Sequence, residues 1–358
     1  MKILYGVQGT GNGHISRASS MHNAFKAYPG LDITWLLSGR DRADGCGDIE
    51  HFEWRAGITF VAEDGRIRIL KTLKHNNLLQ FRRDVKNLAL DEYDLIISDY
   101  EPVISHAARS RGLPVLGIGH QYAFNHKVPL RGENPVVLGI MQKFAPVKQP
   151  VGMHWHHFGF PILPPIVDIE IPQPLPPVVL NKVIVYLPFE NPDAIIAALA
   201  GNNDKDFFIY HPLVNHSDNG NLHLRQISRT GFKKDLLDAS AVITNSGFEL
   251  ISECLQLGKH ILTKPLNGQM EQLSNAEALA QLGYATVIER LDAAVISKWF
   301  DERPVAMQVT YPDVARALAA WICNGRVQSV EALAHELWGQ TLVNGKTIPL
   351  PYAGNRAA

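Results

Sequence analysis

Cysteine is scarce in this sequence, and the three present, Cys46, Cys254 and Cys323, lie far apart with no Cys-x-x-Cys pair. An odd, scattered set excludes a disulfide framework and a cysteine-built zinc site, and predicts free thiols in a reducing compartment. Excess charge is missing as well: 34 Lys and Arg face 35 Asp and Glu, a formal net charge of -1. Without a positive field a nucleic-acid partner is disfavoured, and any bound anion must be held by local groups. Nowhere do about 18 consecutive apolar residues occur, and after Lys2 the apolar run Ile3-Leu4-Tyr5 stops at Gly6. Neither a membrane span nor a signal peptide is expected, which points to the cytoplasm. Two phosphate-binding signatures are absent too. The glycines at Gly9, Gly11 and Gly13 have the wrong spacing for GxGxxG, and no Lys-Ser/Thr follows them as a P-loop requires. There is also no convincing Asp-x-Asp motif, so neither a metal nor another cofactor is expected.

What is present fits a two-domain globular protein. The chain has 358 residues, 46% of them hydrophobic, enough for a core in each of two domains. Short apolar runs at 2–7, 33–37, 95–98 and 115–118 alternate with helical or loop segments, the rhythm of a parallel sheet. A second series follows at 183–187, 207–210, 241–244 and 261–263. Between them lies a proline-rich run with Pro161, Pro164, Pro165, Pro172, Pro174, Pro176 and Pro177. The expected division is a first Rossmann-like domain over 1–160, a linker over 161–177, a second such domain over 178–340 and a tail over 341–358. Val330, Leu333, Ala334 and Leu337 follow helical spacing and predict a closing helix.

Candidate chemistry sits at the carboxyl edges of these sheets, where open α/β folds bind ligands. The turn holding Gly11 and Gly13 lets the backbone approach a ligand closely and sets His14 at the start of a helix. A histidine there can be a general base or, more plainly, a cap or packing residue. Asp99, after the strand Leu95-Ile96-Ile97, is placed to orient His14, and Glu101 to meet an acceptor or act as base; either acid can instead cap the helix that follows. His120 and Gln121 end the next strand and are acceptor-side candidates. In the second half, Ser246-Gly247 makes a tight turn before a helix, whose free amides and dipole suit a diphosphate. Glu253, about two turns into that helix, suits the two hydroxyls of a ribose, and Glu271 and Gln272 on the next loop suit sugar hydroxyls.

The stretch from Thr244 to Ala285 resembles the donor-binding signature of GT-B glycosyltransferases, in particular the MurG and UDP-glycosyltransferase groups, and Gly9 to His14 resembles their N-terminal glycine-rich motif. The segments 95–102 and 154–161 resemble a bacterial and archaeal branch of glycosyltransferase-like proteins. The resemblance spans nearly the whole chain and implies two Rossmann-like parallel-sheet domains facing a cleft. It implies diphosphate at Ser246 and Gly247, ribose at Glu253, donor sugar at Glu271 and Gln272, acceptor at His14, and the base beside the loop holding Thr230 and Phe232. Phe248 and Glu249 depart from the small residue and Thr usual after Ser-Gly.

The function expected is metal-independent, inverting transfer of a sugar from a nucleotide-diphosphate donor, a UDP-sugar first of all, to an acceptor hydroxyl. The alternatives are a nucleotide-sugar 2-epimerase or hydrolase, and a non-enzymatic nucleotide-sugar sensor. The acceptor is open, with a lipid-linked molecule or a glycan in view. From Arg66 to Lys86, basic residues alternate with Leu70, Leu73, Leu78, Leu79 and Phe81, which suits either peripheral contact with an anionic membrane face or an ordinary solvated helix. His154, His156 and His157 are read as aromatic packing rather than metal ligands, because alternate side chains of an extended segment diverge.

Overall fold

The computed structural model describes residues 1–132, 135–302 and 305–350, so residues 351–358 of the expected tail lie outside it. The first half is built on β1 (Lys2–Gln8), β2 (Asp32–Ser38) and β3 (Glu53–Arg55), with a small hairpin, β4 (Ala62–Glu63) and β5 (Arg66–Ile67), before β6 (Leu95–Asp99), β7 (Leu116–Gly119) and β8 (Gln149–Gly152). Six of these form one sheet in the order β3-β2-β1-β6-β7-β8, parallel throughout. Ile3, Leu4, Tyr5 and Val7 are all fully buried, as expected for a central parallel strand covered on both faces. The helices are α1 (Gly13–Phe25), α2 (Ile69–His75), α3 (Leu78–Asn87), α4 (Pro102–Ser110) and α5 (Pro135–Phe144). At Gly6 a Cβ would lie 2.6 Å from Ile104, so glycine is what lets α4 sit directly on β1.

The second half repeats the plan. β9 (Val179–Tyr186), β10 (Asp206–Tyr210), β11 (Ser217–Asn219), β12 (Leu222–Arg225), β13 (Ala239–Asn245), β14 (His260–Lys264) and β15 (Thr286–Val287) form a sheet in the order β11-β12-β10-β9-β13-β14-β15. Only the edge pair β11–β12 is antiparallel. Its helices are α6 (Pro192–Leu199), α7 (Arg229–Asp238), α8 (Phe248–Gln256), α9 (Met270–Leu282) and α10 (Ala293–Glu302).

Within the proline-rich run, Ile162, Leu163, Pro164, Pro165 and Ile166 are buried. Proline has no N–H to leave unpaired, so an extended segment rich in it can be buried at less cost than an ordinary loop. The closing helices α11 (Val314–Cys323) and α12 (Val330–Gly339), read as the end of the second domain, cross back: α11 packs on α1, and Trp338 Nε1 donates to Ile162 O at 2.6 Å.

Candidate functional site

The register of the first sheet brings the first pair of candidates together. Val7 lies opposite Asp99 in the β1–β6 ladder, so both strands end at one edge, and α1 starts just beyond it. Gly11 takes a φ of +83°, which turns the chain into the helix and delivers His14 to that edge. His14 Nδ1 lies 2.7 Å from Asp99 Oδ1. Arg17, one turn further along α1 and on the same face, closes on the same carboxylate: Nε donates to Oδ2 at 2.8 Å and NH2 to Oδ1 at 2.6 Å. Burial opposes a charge on Asp99, yet Arg17 and His14 outweigh it and hold the carboxyl below the usual range. Nδ1 also lies 2.8 Å from Arg17 NH2, which can only donate, but the carboxylate, which can only accept, is the closer at 2.7 Å and favours the tautomer with the proton on Nδ1 and the lone pair on Nε2. Gln121 agrees with this assignment. Its Nε2 stands 3.5 Å from His14 Nε2 and also donates to Glu271 Oε2, from the other half, at 3.1 Å.

Two first-half candidates turn out to hold structure. Glu101 is fully buried and caps α4, its carboxylate accepting from Val103 N at 2.8 Å, Ile104 N at 2.7 Å and the Ser38 hydroxyl. Burial pushes its carboxyl up to about 7 despite those bonds, and no face is left for an acceptor. His120 is equally committed: Nδ1 lies 2.8 Å from Met153 O and Nε2 2.7 Å from Asn275 Oδ1, while its ring stacks on Phe248 at 3.9 Å and 6°. It joins the two halves and does not reach into the gap. The neighbouring histidines also pack. Nδ1 of His154, His156 and His157 accepts from the backbone N–H of Trp155, Phe158 and Gly159 in turn, at 2.8 to 2.9 Å. Among the described residues no group of three or more His, Cys, Asp and Glu is arranged to hold a metal ion.

In the second half β13 ends beside β9, with Thr244 opposite Tyr186, and the chain turns through Ser246-Gly247 into α8. The Ser246 side chain is not available to a ligand: it is fully buried, and its Oγ lies 2.9 Å from Thr263 Oγ1. Gly247 is half-buried, a Cβ on it would meet open space, and among the described residues no side chain caps the amino end of α8. The exposed part of the turn is therefore the glycine and the helix end behind it. Glu253 is only 5% exposed, burial pushes its carboxyl up to about 8, and among the described residues that carboxyl makes no hydrogen bond. Phe232 sets its ring edge-on to Tyr186 and Tyr210, at 5.4 and 5.1 Å, at the ends of β9 and β10, and Thr230 is exposed on the first turn of α7. Gln272 is committed through Oε1, which accepts from Leu266 N at 2.9 Å, whereas Glu271 faces Gln121 across the gap.

Sequence reasoning missed Arg17. It is 1% exposed, and its NH1 donates to Glu249 Oε1 in the other half. The His-x-x-Arg spacing, which puts 14 and 17 on one helical face, was the available signal. The halves are also clasped by Arg229, which pairs with Asp48 and with Asp168 at 2.8 Å, and by the hairpin, where Gly65 N donates to Phe189 O at 2.7 Å.

The model of glycosyl transferase family 1 matches residues 1–304. An uncharacterized glycosyltransferase of Methanosarcina acetivorans is 34% identical over 142 residues, 36% of this chain and 36% of the relative, so the likeness spans little more than a third of that protein. Among solved structures, the glycosyltransferase SsfS6 of Streptomyces sp. SF2575, complexed with thymidine diphosphate, superposes with a TM-score of 0.59 at 11% identity, covering 92% of this chain and 100% of that one. SnogD from Streptomyces nogalater gives 0.53 at 14% identity, covering 89% and 94%. These likenesses are of fold, the GT-B arrangement of two facing parallel-sheet domains.

Proposed function

The chain belongs to glycosyl transferase family 1, and on that premise we propose that it moves a sugar, with inversion and without a metal, from a nucleotide-diphosphate donor to an acceptor hydroxyl. The observation that carries this reading is the His14–Asp99 pair, 2.7 Å apart, with the other imidazole nitrogen facing Gln121, which reaches Glu271 of the second half. His14 Nε2 takes the proton of the acceptor hydroxyl, the oxygen attacks the anomeric carbon, and the nucleotide diphosphate departs with the electron pair of the broken bond. Asp99 stabilises the imidazolium that forms. The amino end of α8 and Gly247 meet the charge growing on the diphosphate, as preorganised donors do for a developing anion. Phe232, Tyr186 and Thr230 form the base side, Glu253 faces the ribose and Glu271 the sugar. UDP is the proposed nucleotide.

On the acceptor side, a cavity of about 190 Å³ is lined by Tyr100, Gln121, Tyr122, Phe124, Leu138 and Met141 among others, and shares Gln121 with the imidazole. That supports Gln121 as an acceptor residue in place of His120. Leu70, Leu73, Leu78 and Leu79 are exposed on α2 and α3 beside Lys71, Lys74, Arg82 and Arg83, which supports peripheral contact with an anionic membrane carrying a lipid-linked acceptor. Among the described residues no helix is long and apolar enough to cross a membrane.

The test is a transfer assay with UDP- and TDP-sugars, run with and without EDTA and followed by NMR at the anomeric centre. Inverted product made in the presence of chelator supports the reading. Loss of turnover on chelation, or retention at the anomeric carbon, counts against it. Donor incubated alone separates the rivals: rapid epimerisation or hydrolysis without acceptor assigns the chain to those classes, and binding without any turnover to a sensor.

A further inference from the structure

The carboxylate of Glu249 sits where the second half would be expected to receive an anion. Glu249 is in the first turn of α8, and its Oε1 accepts from Arg17 NH1. Its carboxyl lies so close over Gly13, the first residue of α1, that a Cβ there would collide with it. One carboxylate therefore stands between the amino ends of two helices and against a buried guanidinium. Positive potential from three sources converges on it.

Arg17 is unevenly held. Nε and NH2 are bound to Asp99 within the first half, NH2 also lying 2.8 Å from His14 Nδ1, and only NH1 reaches across to Glu249. NH1 is thus the one edge of the guanidinium that a group in the gap can take over without disturbing the His14–Asp99 pair. A nucleotide diphosphate brought to the amino end of α8 and Gly247 would lie beside this edge and meet a like charge in Glu249. It must displace that carboxylate before Arg17 can serve it.

We infer that Arg17 is the side-chain cation for the donor's diphosphate, and that Glu249 is a built-in anion occupying that seat until the donor evicts it. The inference rests on the donor reading above and deepens it. Ser246 was expected to meet the diphosphate, but its hydroxyl is engaged with Thr263, so side-chain recognition passes to a residue on the opposite half. Closure and anion binding then become one event: the same guanidinium that grips Glu249 in the empty protein grips the diphosphate in the loaded one, beside the imidazole that does the chemistry. As the bond to the anomeric carbon breaks, NH1 is positioned to meet the added charge on the leaving oxygen.

Removing the occupant should raise affinity, a result that a merely structural clasp cannot produce. Inorganic pyrophosphate, UDP and TDP are titrated by calorimetry into the wild type, Glu249→Gln and Glu249→Ala, with folding checked by circular dichroism. Both variants are expected to bind pyrophosphate at least about tenfold more tightly than the wild type, because a like charge in contact with the ligand has gone, and the gain should shrink with added salt. Arg17→Lys combined with Glu249→Gln should lose the gain, since an ammonium lacks the fork needed to hold Asp99 and the anion together. Equal or weaker binding by both single variants, or a gain that survives in the double variant, overturns the inference. If UDP and TDP bind the wild type while the variants gain nothing, this inference alone falls. If neither nucleotide binds any form, the donor reading falls and takes this one with it.

Discussion

Two buried acids, Asp99 at the end of β6 and Glu253 within α8, show how environment assigns work to a residue. Asp99 faces a histidine and an arginine and is held ionised, whereas the Glu253 carboxyl has no hydrogen-bond partner among the described residues and burial pushes it up to about 8. His14→Ala is expected to lower kcat/KM by about 10²- to 10⁴-fold with little change in donor binding, read from initial rates alongside UDP calorimetry. Asp99→Asn should fall in the same range, because it removes the charge that stabilises the imidazolium and puts an amide donor where a carboxylate oxygen held the Nδ1 proton. Glu253 yields a stability prediction whose sign follows from its raised value. Between the ordinary carboxyl value near 4.5 and about 8, the unfolded chain loses a proton that the fold retains. Stability in the empty protein therefore falls as pH rises through that window, by up to about 1.4 kcal/mol per pH unit from this group. Glu253→Gln should flatten the fall, measured as urea midpoints at pH 5 and pH 8; an unchanged slope would show that this carboxyl ionises normally.

At the scale of elements, α4 and α8 begin in different ways and serve different ends. Pro102 opens α4 and Glu101 closes its amino end with two backbone bonds, leaving nothing for a ligand. Glu101→Ala should cost about 1 to 3 kcal/mol in chemical unfolding, from the lost cap and the stranded Ser38 hydroxyl, while KM for the donor stays unchanged. By contrast, α8 has glycine at its cap and no capping side chain, so its amino end is left for something other than itself. The same helix buries Phe248, Ile251, Glu253, Cys254 and Leu255 and turns Glu249 to α1. Its periodicity was legible in the sequence, as were the strands that flank it. Which of its two acids would meet Arg17 was not, because that depends on a helix more than two hundred positions away.

Over the whole molecule, the two halves are joined by contacts of unequal weight. The Arg229–Asp48 pair is half-exposed at both ends, and such pairs contribute at most about 1 kcal/mol. Phe248 is buried against His120, Trp155 and His154, rings drawn from the other half. Asp48→Asn should leave the unfolding midpoint nearly unchanged, whereas Phe248→Ala should cost about 3 to 5 kcal/mol and loosen the closed arrangement, seen as a larger radius of gyration in X-ray scattering. A compact Phe248→Ala protein of wild-type stability would show that the stack does not hold the halves together.

The alternation of apolar runs with helical segments was enough to place eight strands in two series, since a strand buried on both faces must be written as a continuous apolar run. The same local logic marked His14, Asp99 and the Ser-Gly turn, because a ligand edge needs a strand end followed by glycine or a short polar side chain. What sequence could not decide is how polar groups spend their bonds. Glu101 stood open between a cap and a catalytic acid and His120 read as an acceptor residue, and the first was settled and the second committed only when folding brought a helix end and Asn275 within reach, as it brought Thr263 to the Ser246 hydroxyl. Arg17 drew no reading and Glu249 only one as a departure from the family pattern, yet across 232 positions they form one part-buried pair. Periodicity is a property of neighbours along the chain, but the partner of a buried charge is chosen by packing across it, and that choice exists only in the tertiary structure.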